Sequence, residues 1–244
     1  INVVDSQVWK IPAQLNMETA AAFPAVHLTA YHALFQLCRL YPKSKILVHS
    51  AAGGVGTALC QLSRRAGFHT VGIVGSANKI QVAKDHGADE VLVRDARGEY
   101  WNDLARKYPD GFDAIYDAFG SESYSKSYEL LASSGKLFVY GSHGMLPQSG
   151  GRLNFIKILF NLLKTPKFKP FDMITRNRAV IGFNVSFLFD RSDIIQEGMT
   201  ELLKALDSGE LKSPLVQSFP ATQVVEAHKR IESGQSVGKL ALVF

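Results

Sequence analysis

The chain has 244 residues, 46% of them apolar and 20% charged, with a formal net charge of +5. That length suits one large or two ordinary globular domains, and no apolar run is long enough to span a bilayer. The small positive charge reads as a mildly basic surface, and we expect no nucleic-acid partner.

Ile1-Asn2-Val3-Val4 reads as a strand entered midway, with no initiator methionine, so we expect a piece of something longer. Val3 to Ile11 reads as a strand ending at Pro12, and Glu18 to Ala22 as a short helical turn. Thr29 to Leu40 carries Ala30, Ala33, Leu34, Leu37 and Cys38 at helical spacing. Cys38 and Cys60, the only cysteines, fall in helical patterns and read as reduced thiols of a cytoplasmic protein.

Ile46 to Leu62 (ILVHSAAGGVGTALCQL) is the most informative stretch. A short apolar strand runs into Ala51-Ala52-Gly53-Gly54-Val55-Gly56, and an amphipathic helix follows. This is a G-x-G-x-x-G fingerprint with alanine in the first glycine slot, flanked by the strand and helix that give it meaning. Gly53 lets backbone approach a pyrophosphate, and Gly56 lets the helix pack on the strand. The helix start offers unpaired N–H groups to phosphates.

Further along, strands are expected at Thr70–Val74, Glu90–Val93, Phe112–Asp117, Lys136–Tyr140 and Ala179–Asn184. Helices are expected at Thr57–Ala66, Lys79–His86, Asn102–Tyr108 and Ser123–Leu131. The alternation predicts an α/β, doubly wound parallel sheet of the Rossmann type, with ligands beyond the strand C-termini. The places to seek binding residues are therefore Ala52 to Gly56, Gly75 to Lys79, Arg94, Phe119-Gly120, Gly141-Ser142 and Asn184. After Asn184 come a helix at Ser192–Leu206, a strand at Leu215–Phe219, a helix at Thr222–Glu232 and a strand at Lys239–Phe244. This tail leaves the strict alternation and is expected in a second domain.

Dinucleotide folds that prefer the 2′-hydroxyl place an acid at the end of the second strand. Here Gly75-Ser76-Ala77-Asn78-Lys79 holds no acid. Its hydroxyl and cation suit a 2′-phosphate, which favours NADP(H) over NAD(H). Arg94, ending the next strand, is placed beside the adenine. Leu153 to Arg178 mixes Phe and Leu with Lys and Arg. It fits a membrane-surface helix, a subunit contact or a cap over the ligand, and segment 153–178 is the candidate for peripheral membrane contact. No His/Cys cluster has metal-ligand spacing, so no metal ligand is assigned. His49 reads as a hydrogen-bonded core residue, and His143 as a loop residue near the cleft. Asp117 reads as a brace for nearby loop N–H groups. No catalytic acid or base is assigned.

The motifs LTAYHAL (28–34), HSAAGGVG (49–56), GADEV (87–91), YDAFG (116–120) and VGKLALVF (237–244) resemble the medium-chain dehydrogenase/reductase superfamily. The zinc-independent quinone oxidoreductase branch fits best. SQVWKIP (6–12) and NRAVIGF (177–183) carry a narrower likeness to the vesicle amine transport protein subgroup. The resemblance implies a Rossmann domain at 27–184, preceded at 1–26 by the end of a GroES-like substrate domain, with 185–244 returning to that domain. It places Thr29, Phe183 and Asn184 near the nicotinamide, Gly53 to Gly56 on the pyrophosphate, Ser76 and Lys79 on the 2′-phosphate, and Gly141 and Ser142 facing the cofactor. Relatives often carry a tyrosine where Arg94 stands; a guanidinium also stacks on a base. The activity implied is NADPH-dependent hydride transfer to a quinone or an activated alkene or carbonyl, in a homodimer joined through the sixth strand. An enoyl-reductase module of a larger synthase, and a membrane-associated trafficking protein with little turnover, are the alternatives.

Overall fold

A computed structural model describes residues 5–142, 165–188 and 190–244. His143 and the 153–164 part of the basic, apolar segment lie outside the described residues. The six-stranded sheet has the order β3-β2-β1-β4-β5-β6, with every pairing parallel. Its strands are β1 (Lys45–His49), β2 (His69–Val74), β3 (Glu90–Val93), β4 (Phe112–Asp117), β5 (Leu131–Val139) and β6 (Ala179–Gly182). The helices are α1 (Met17–Tyr31), α2 (Gly54–Arg65), α3 (Ile80–Asp85), α4 (Glu99–Lys107), α5 (Ser121–Glu129), α6 (Pro170–Arg176), α7 (Ser192–Asp207) and α8 (Val224–Glu232). This is the doubly wound parallel sheet expected from the alternation.

Alternate residues of each strand enter different cores. Ile46 and Val48 face a layer containing residues of α1, α2 and α7. Leu47, between them, faces Tyr100 and Leu104 of α4 and Tyr128 of α5. The two-residue period of a strand thus fills both faces with apolar side chains, which is why the central strands read as continuous hydrophobic runs.

Several boundaries differ from the sequence reading. Residues 5–11 form no strand: Asp5–Gln7 is a 3-10 turn, closed by the Val8 N–H donating to the Asp5 carbonyl at 3.2 Å. An apolar run becomes a strand only where a ladder partner exists. The two short helices expected at 18–22 and 29–40 are replaced by α1, which runs through Pro24 and ends in a π turn at His32–Gln36. Asn16 caps α1 through its side chain, which accepts the Thr19 N–H at 2.9 Å. The helix also runs across residues 26–27, where the resemblance places a domain boundary. β5 starts at Leu131, five residues earlier than expected from Lys136, and its register shifts between Phe112 and Ala114 of β4. Ser134 takes a φ of 65° within that irregular start, the local departure that hides a strand from a period-two reading. α5 begins at Ser121 on Gly120, two residues before the expected start at Ser123.

The tail also keeps the alternation that the sequence reading denied it. Strand β7 (Val216–Pro220), α8 and strand β8 (Lys239–Val243) form a βαβ unit whose strands pair in parallel. A bridge between Gly53 and Gly238 ties this unit to the turn after β1.

Candidate functional site

β1 delivers the chain into Ser50, which takes a φ of 55°, and the turn is closed by the Gly53 N–H donating to the Ser50 carbonyl at 2.8 Å. Helix α2 then starts on Gly53, with no side chain capping its first turn. Those first-turn N–H groups are the orphan donors of any helix start, aimed along a positive dipole end. The three glycines do different work. A Cβ at Gly56 would sit 2.2 Å from the Ser50 carbonyl oxygen and 2.8 Å from the Ala51 Cα. Gly56 is therefore what lets α2 lie against the turn. A Cβ at Gly54 would meet a Val26 methyl at 2.9 Å, and one at Gly53 the Ser50 carbonyl at 3.2 Å.

β1 lies between β2 and β4, where the strand order reverses, and ligands of open α/β sheets bind outside the strand C-termini at that reversal. The expected residues lie after those C-termini except Thr29, which lies on α1. Ser76 follows β2, its hydroxyl donating to Asn78 Oδ1 at 2.6 Å. Lys79 is buried, and its ammonium donates to the carbonyls of Gly234 at 2.6 Å and Ser236 at 2.7 Å. Burial and the neighbouring Arg230 guanidinium pull its pKa below the usual lysine value. Arg94 lies with its guanidinium carbon 3.6 Å from the centre of the Phe119 ring, and its Nε and Nη2 are buried without a partner. Orphaned donors of this kind fit a ligand rich in acceptors. Gly141 accepts from the Tyr124 hydroxyl, at 2.5 Å, and packs on Ala118. Ser142 follows it and is exposed. Phe183 stacks on Tyr140 and meets His32 edge-on, with centroids 5.6 and 5.5 Å apart. Asn184 caps a 3-10 turn, accepting from Ser186 N–H at 3.0 Å, and the half-buried Thr29 spends its hydroxyl on the Ala25 carbonyl at 2.7 Å.

Beneath the turn lies a buried polar cluster. Asp117 is fully buried and accepts from the Phe119 N–H (2.9 Å), the Ser123 hydroxyl (2.9 Å) and the Ser127 hydroxyl (2.7 Å). It is the brace read from the sequence, and through Phe119 it supports the Arg94 stack. His49 Nε2 lies 3.1 Å from the Ser127 hydroxyl and 3.7 Å from Asp117. Burial holds the His49 pKa below its ordinary value, with Asp117 opposing. Asp113, the other acid of β4, accepts the Lys45 N–H at 2.7 Å.

Sequence reading missed the contribution of the chain's end. The Gly238 N–H donates to the Ala52 carbonyl at 2.9 Å, so the segment after α8 reaches the glycine turn. Gly238 has a φ of 65°. That hints at a tight approach, but a partner 186 residues away leaves no local signal. Among the described residues no three His, Cys, Asp or Glu side chains are grouped to hold a metal ion, and both cysteines are free.

Residues 86–242 match the family model described as zinc-binding dehydrogenase. The chain belongs to that family. That places it in the medium-chain dehydrogenase/reductase superfamily, on the quinone oxidoreductase branch. It is 30% identical over 240 residues to a zebrafish (Danio rerio) protein named synaptic vesicle membrane protein VAT-1 homolog, covering 98% of this chain and 49% of that one. It is 28% identical over 242 residues to human quinone oxidoreductase, covering 98% of this chain and 66% of that one. Its fold superposes on the Escherichia coli quinone oxidoreductase complexed with NADPH with a TM-score of 0.78, at 23% identity, covering 98% of this chain and 69% of that one. The chain spans about half to three fifths of the length of the VAT-1 homologs that it matches. No described helix is long and apolar enough to cross a membrane.

Proposed function

We propose that this chain is the cofactor-binding part of an NADPH-dependent, zinc-independent reductase acting on a quinone or an activated alkene or carbonyl. The observation that carries the reading is the uncapped start of α2 on Gly53, at the end of β1, where the strand order reverses. In this account the N–H groups of Gly54 to Gly56 hold the pyrophosphate, with Ala52 fixing the turn beneath it. Arg94, braced on Phe119, sits against the adenosine, and Ser76 and Lys79 take the 2′-phosphate. Lys79 has three N–H donors and two are bonded to carbonyls, so one remains for a phosphate. Gly141, Ser142, Phe183, Asn184 and Thr29 form the wall at the nicotinamide end. When bound, the reduced nicotinamide supplies the hydride, and the protein's part is to orient it and exclude water. Residues 27–184 would be the NADP-binding domain. Residues 1–26 and 185–244 would belong with a GroES-like substrate domain. Two cysteines without ligand spacing support a zinc-free reading of this part. Among the described residues β6 ends the sheet, and its edge would pair with a second copy in a homodimer.

Calorimetric titration with NADPH and NADH tests the assignment. We expect both to bind, NADPH more tightly, and Lys79→Ala to weaken NADPH far more than NADH. Equal losses would remove the 2′-phosphate site, and failure of either cofactor to bind would remove the reading altogether.

A second reading, peripheral membrane association of a cytoplasmic protein, is favoured by one observation. Helix α6 exposes Phe171 (83%) and Ile174 (71%) beside exposed Lys169, the pairing of an interfacial helix, while Arg176 is spent on Glu129 and Asp172. A named relative, at 30% identity, is called a synaptic vesicle membrane protein. Co-sedimentation with anionic vesicles should fall when Phe171→Asp and Ile174→Asp are introduced; unaltered or absent sedimentation removes this reading.

A further inference from the structure

His32 stands at the end of α1, and its ring packs on Phe183, the residue that follows β6. It opens the π turn, its carbonyl accepting the Leu37 N–H at 3.0 Å, and wide turns of this kind gather at functional sites. The side chain is buried, and its Nδ1 lies 2.8 Å from Gln36 Oε1. The Gln36 amide is itself held in one orientation. Its Nε2 donates to the Ile194 carbonyl at 2.9 Å and lies 3.4 Å from the Glu197 carboxylate. Both are acceptors, so the amide nitrogen faces α7 and the amide oxygen faces the ring. An oxygen there accepts only from an N–H, so Nδ1 carries hydrogen in the neutral ring as well as in the charged one. The proton that comes and goes is therefore the one on Nε2. Gly198 lets α7 come close enough for this, since a Cβ there would meet Tyr31 Cδ1 at 3.3 Å and Gln36 Nε2 at 3.8 Å.

Thr29 lies one turn earlier on α1, and Phe183 stacks on Tyr140, so the ring borders the wall assigned above to the nicotinamide end. The chemistry proposed there is one proton short. The acceptor gains a hydride, and with it two electrons, from the reduced nicotinamide, which is oxidised; it becomes an enolate or hydroquinone anion that still needs a proton. Two phenols stand nearby, Tyr31 beside His32 in the chain and Tyr140 behind Phe183. Burial raises the pKa of both, so neither gives up a proton readily near neutral pH. The other ionisable groups about this corner are Glu197 and Glu201 of α7 and Arg65 of α2, which is paired with Glu210. We propose that His32 is the catalytic acid of the reductase and hands the proton on Nε2 to the reduced acceptor. The Nε2–H bond of the charged ring breaks, an O–H or C–H bond forms on the acceptor anion, and the neutral ring recovers its proton from water. Gln36, anchored on α7, is the positioning residue that keeps Nε2 as the exchanging atom. The proposal rests on the reductase reading above and supplies the acid which that reading lacks.

The test counts protons on binding, with NADP⁺, NADPH and 2′,5′-ADP as probes. An oxidised nicotinamide is cationic and repels an imidazolium beside it, so NADP⁺ should expel the proton from Nε2. NADPH, whose nicotinamide is neutral, and 2′,5′-ADP, which has none, should leave it in place. Calorimetric titrations near pH 6, in two buffers of different ionisation enthalpy, give the number of protons released. The ratio of the NADP⁺ Kd to the NADPH Kd should rise by about threefold or more from pH 8.5 to pH 6 in the wild type and stay within about 1.5-fold in His32→Gln, which carries no charge at any pH. Should His32→Gln fail to fold, ring ¹⁵N spectra of the wild type decide. The His32 signal should show hydrogen on Nδ1 at high pH, and near pH 6 it should turn from charged to neutral when NADP⁺ is added. Equal proton release with NADP⁺ and NADPH, a difference that survives in His32→Gln, or a neutral ring with its hydrogen on Nε2 overturns this inference and leaves the cofactor reading standing. Wild type that binds none of the three probes overturns both.

Discussion

Replacing Gly56 by alanine tests the account of the turn at the atom where it is tightest. The new Cβ would lie 2.2 Å from the Ser50 carbonyl oxygen, 2.8 Å from the Ala51 Cα and 2.9 Å from its carbonyl carbon. All three are backbone atoms and no rotamer change relieves them, so restoring a normal contact requires α2 to retreat by about 1 Å from the end of β1. That helix buries Leu59, Cys60 and Leu62 in the core, so the retreat loosens close packing along its length. Overpacking of this kind costs about 1–3 kcal/mol, with backbone clashes at the upper end. Alanine's better helix propensity returns up to about 1 kcal/mol. The net expectation is a loss of roughly 2 kcal/mol, or about 4–8 °C in Tm for a chain of this size. Gly75→Ala is the control, because a Cβ there meets nothing within 4 Å. Gly54→Ala should fall between them, since its obstacle is a side-chain methyl. Thermal and urea unfolding of the three variants, run with NADPH titrations, decide the matter. A Gly56→Ala protein that melts within about 1 °C of wild type and binds as well would refute the reasoning.

Asp117→Ala strands the buried Ser127 hydroxyl and the half-buried Phe119 N–H, while the Ser123 hydroxyl keeps the Gly120 carbonyl at 2.9 Å, and should cost roughly 2 kcal/mol or more in urea unfolding; a loss under about 0.5 kcal/mol would show that the cluster is not needed. His27 is buried and its pKa is lowered to about 4 from 6.5. Below pH 6.5 the unfolded chain takes up a proton that the folded protein refuses, so stability is full above that pH and falls, by about 3 kcal/mol in total, as pH drops toward 4. His27→Gln should flatten that part of the urea-midpoint profile, and an unaltered slope would place the acid sensitivity elsewhere. Burial pushes the Cys60 thiol up to about 12, so iodoacetamide at pH 8 should label the half-buried Cys38 well before Cys60, as read by peptide mass spectrometry. Equal labelling would mean that α2 opens readily.

The sheet was legible because its signals are local. Strand, turn and helix follow one another within Ile46–Leu62, and alternation repeats the pattern to β6. What escaped reading was decided by distant partners. The two short helices read at 18–22 and 29–40 are joined because α1 runs through Pro24 with Ala22, Phe23 and Val26 buried on both sides. Residues 5–11 look extended but find no neighbouring strand. The positions of Ser76, Lys79 and Arg94 at the strand ends followed from the period and the loop lengths. Their partners did not. Lys79 is held by carbonyls more than 150 residues away, and Arg94 lies on Phe119 from the next strand's end. The βαβ closure of the tail was hidden for the same reason, because a parallel pair with an intervening helix carries no hairpin signature.

The central claim is that the turn from Ala52 to Gly56 holds a dinucleotide's phosphates. A crystal structure of the protein grown with saturating NADPH tests it most directly. The account predicts pyrophosphate oxygens within hydrogen-bonding distance of the first-turn N–H groups of α2, with the 2′-phosphate by Lys79. Coenzyme bound elsewhere, or a turn filled by the protein's own side chains at saturating ligand, would contradict it.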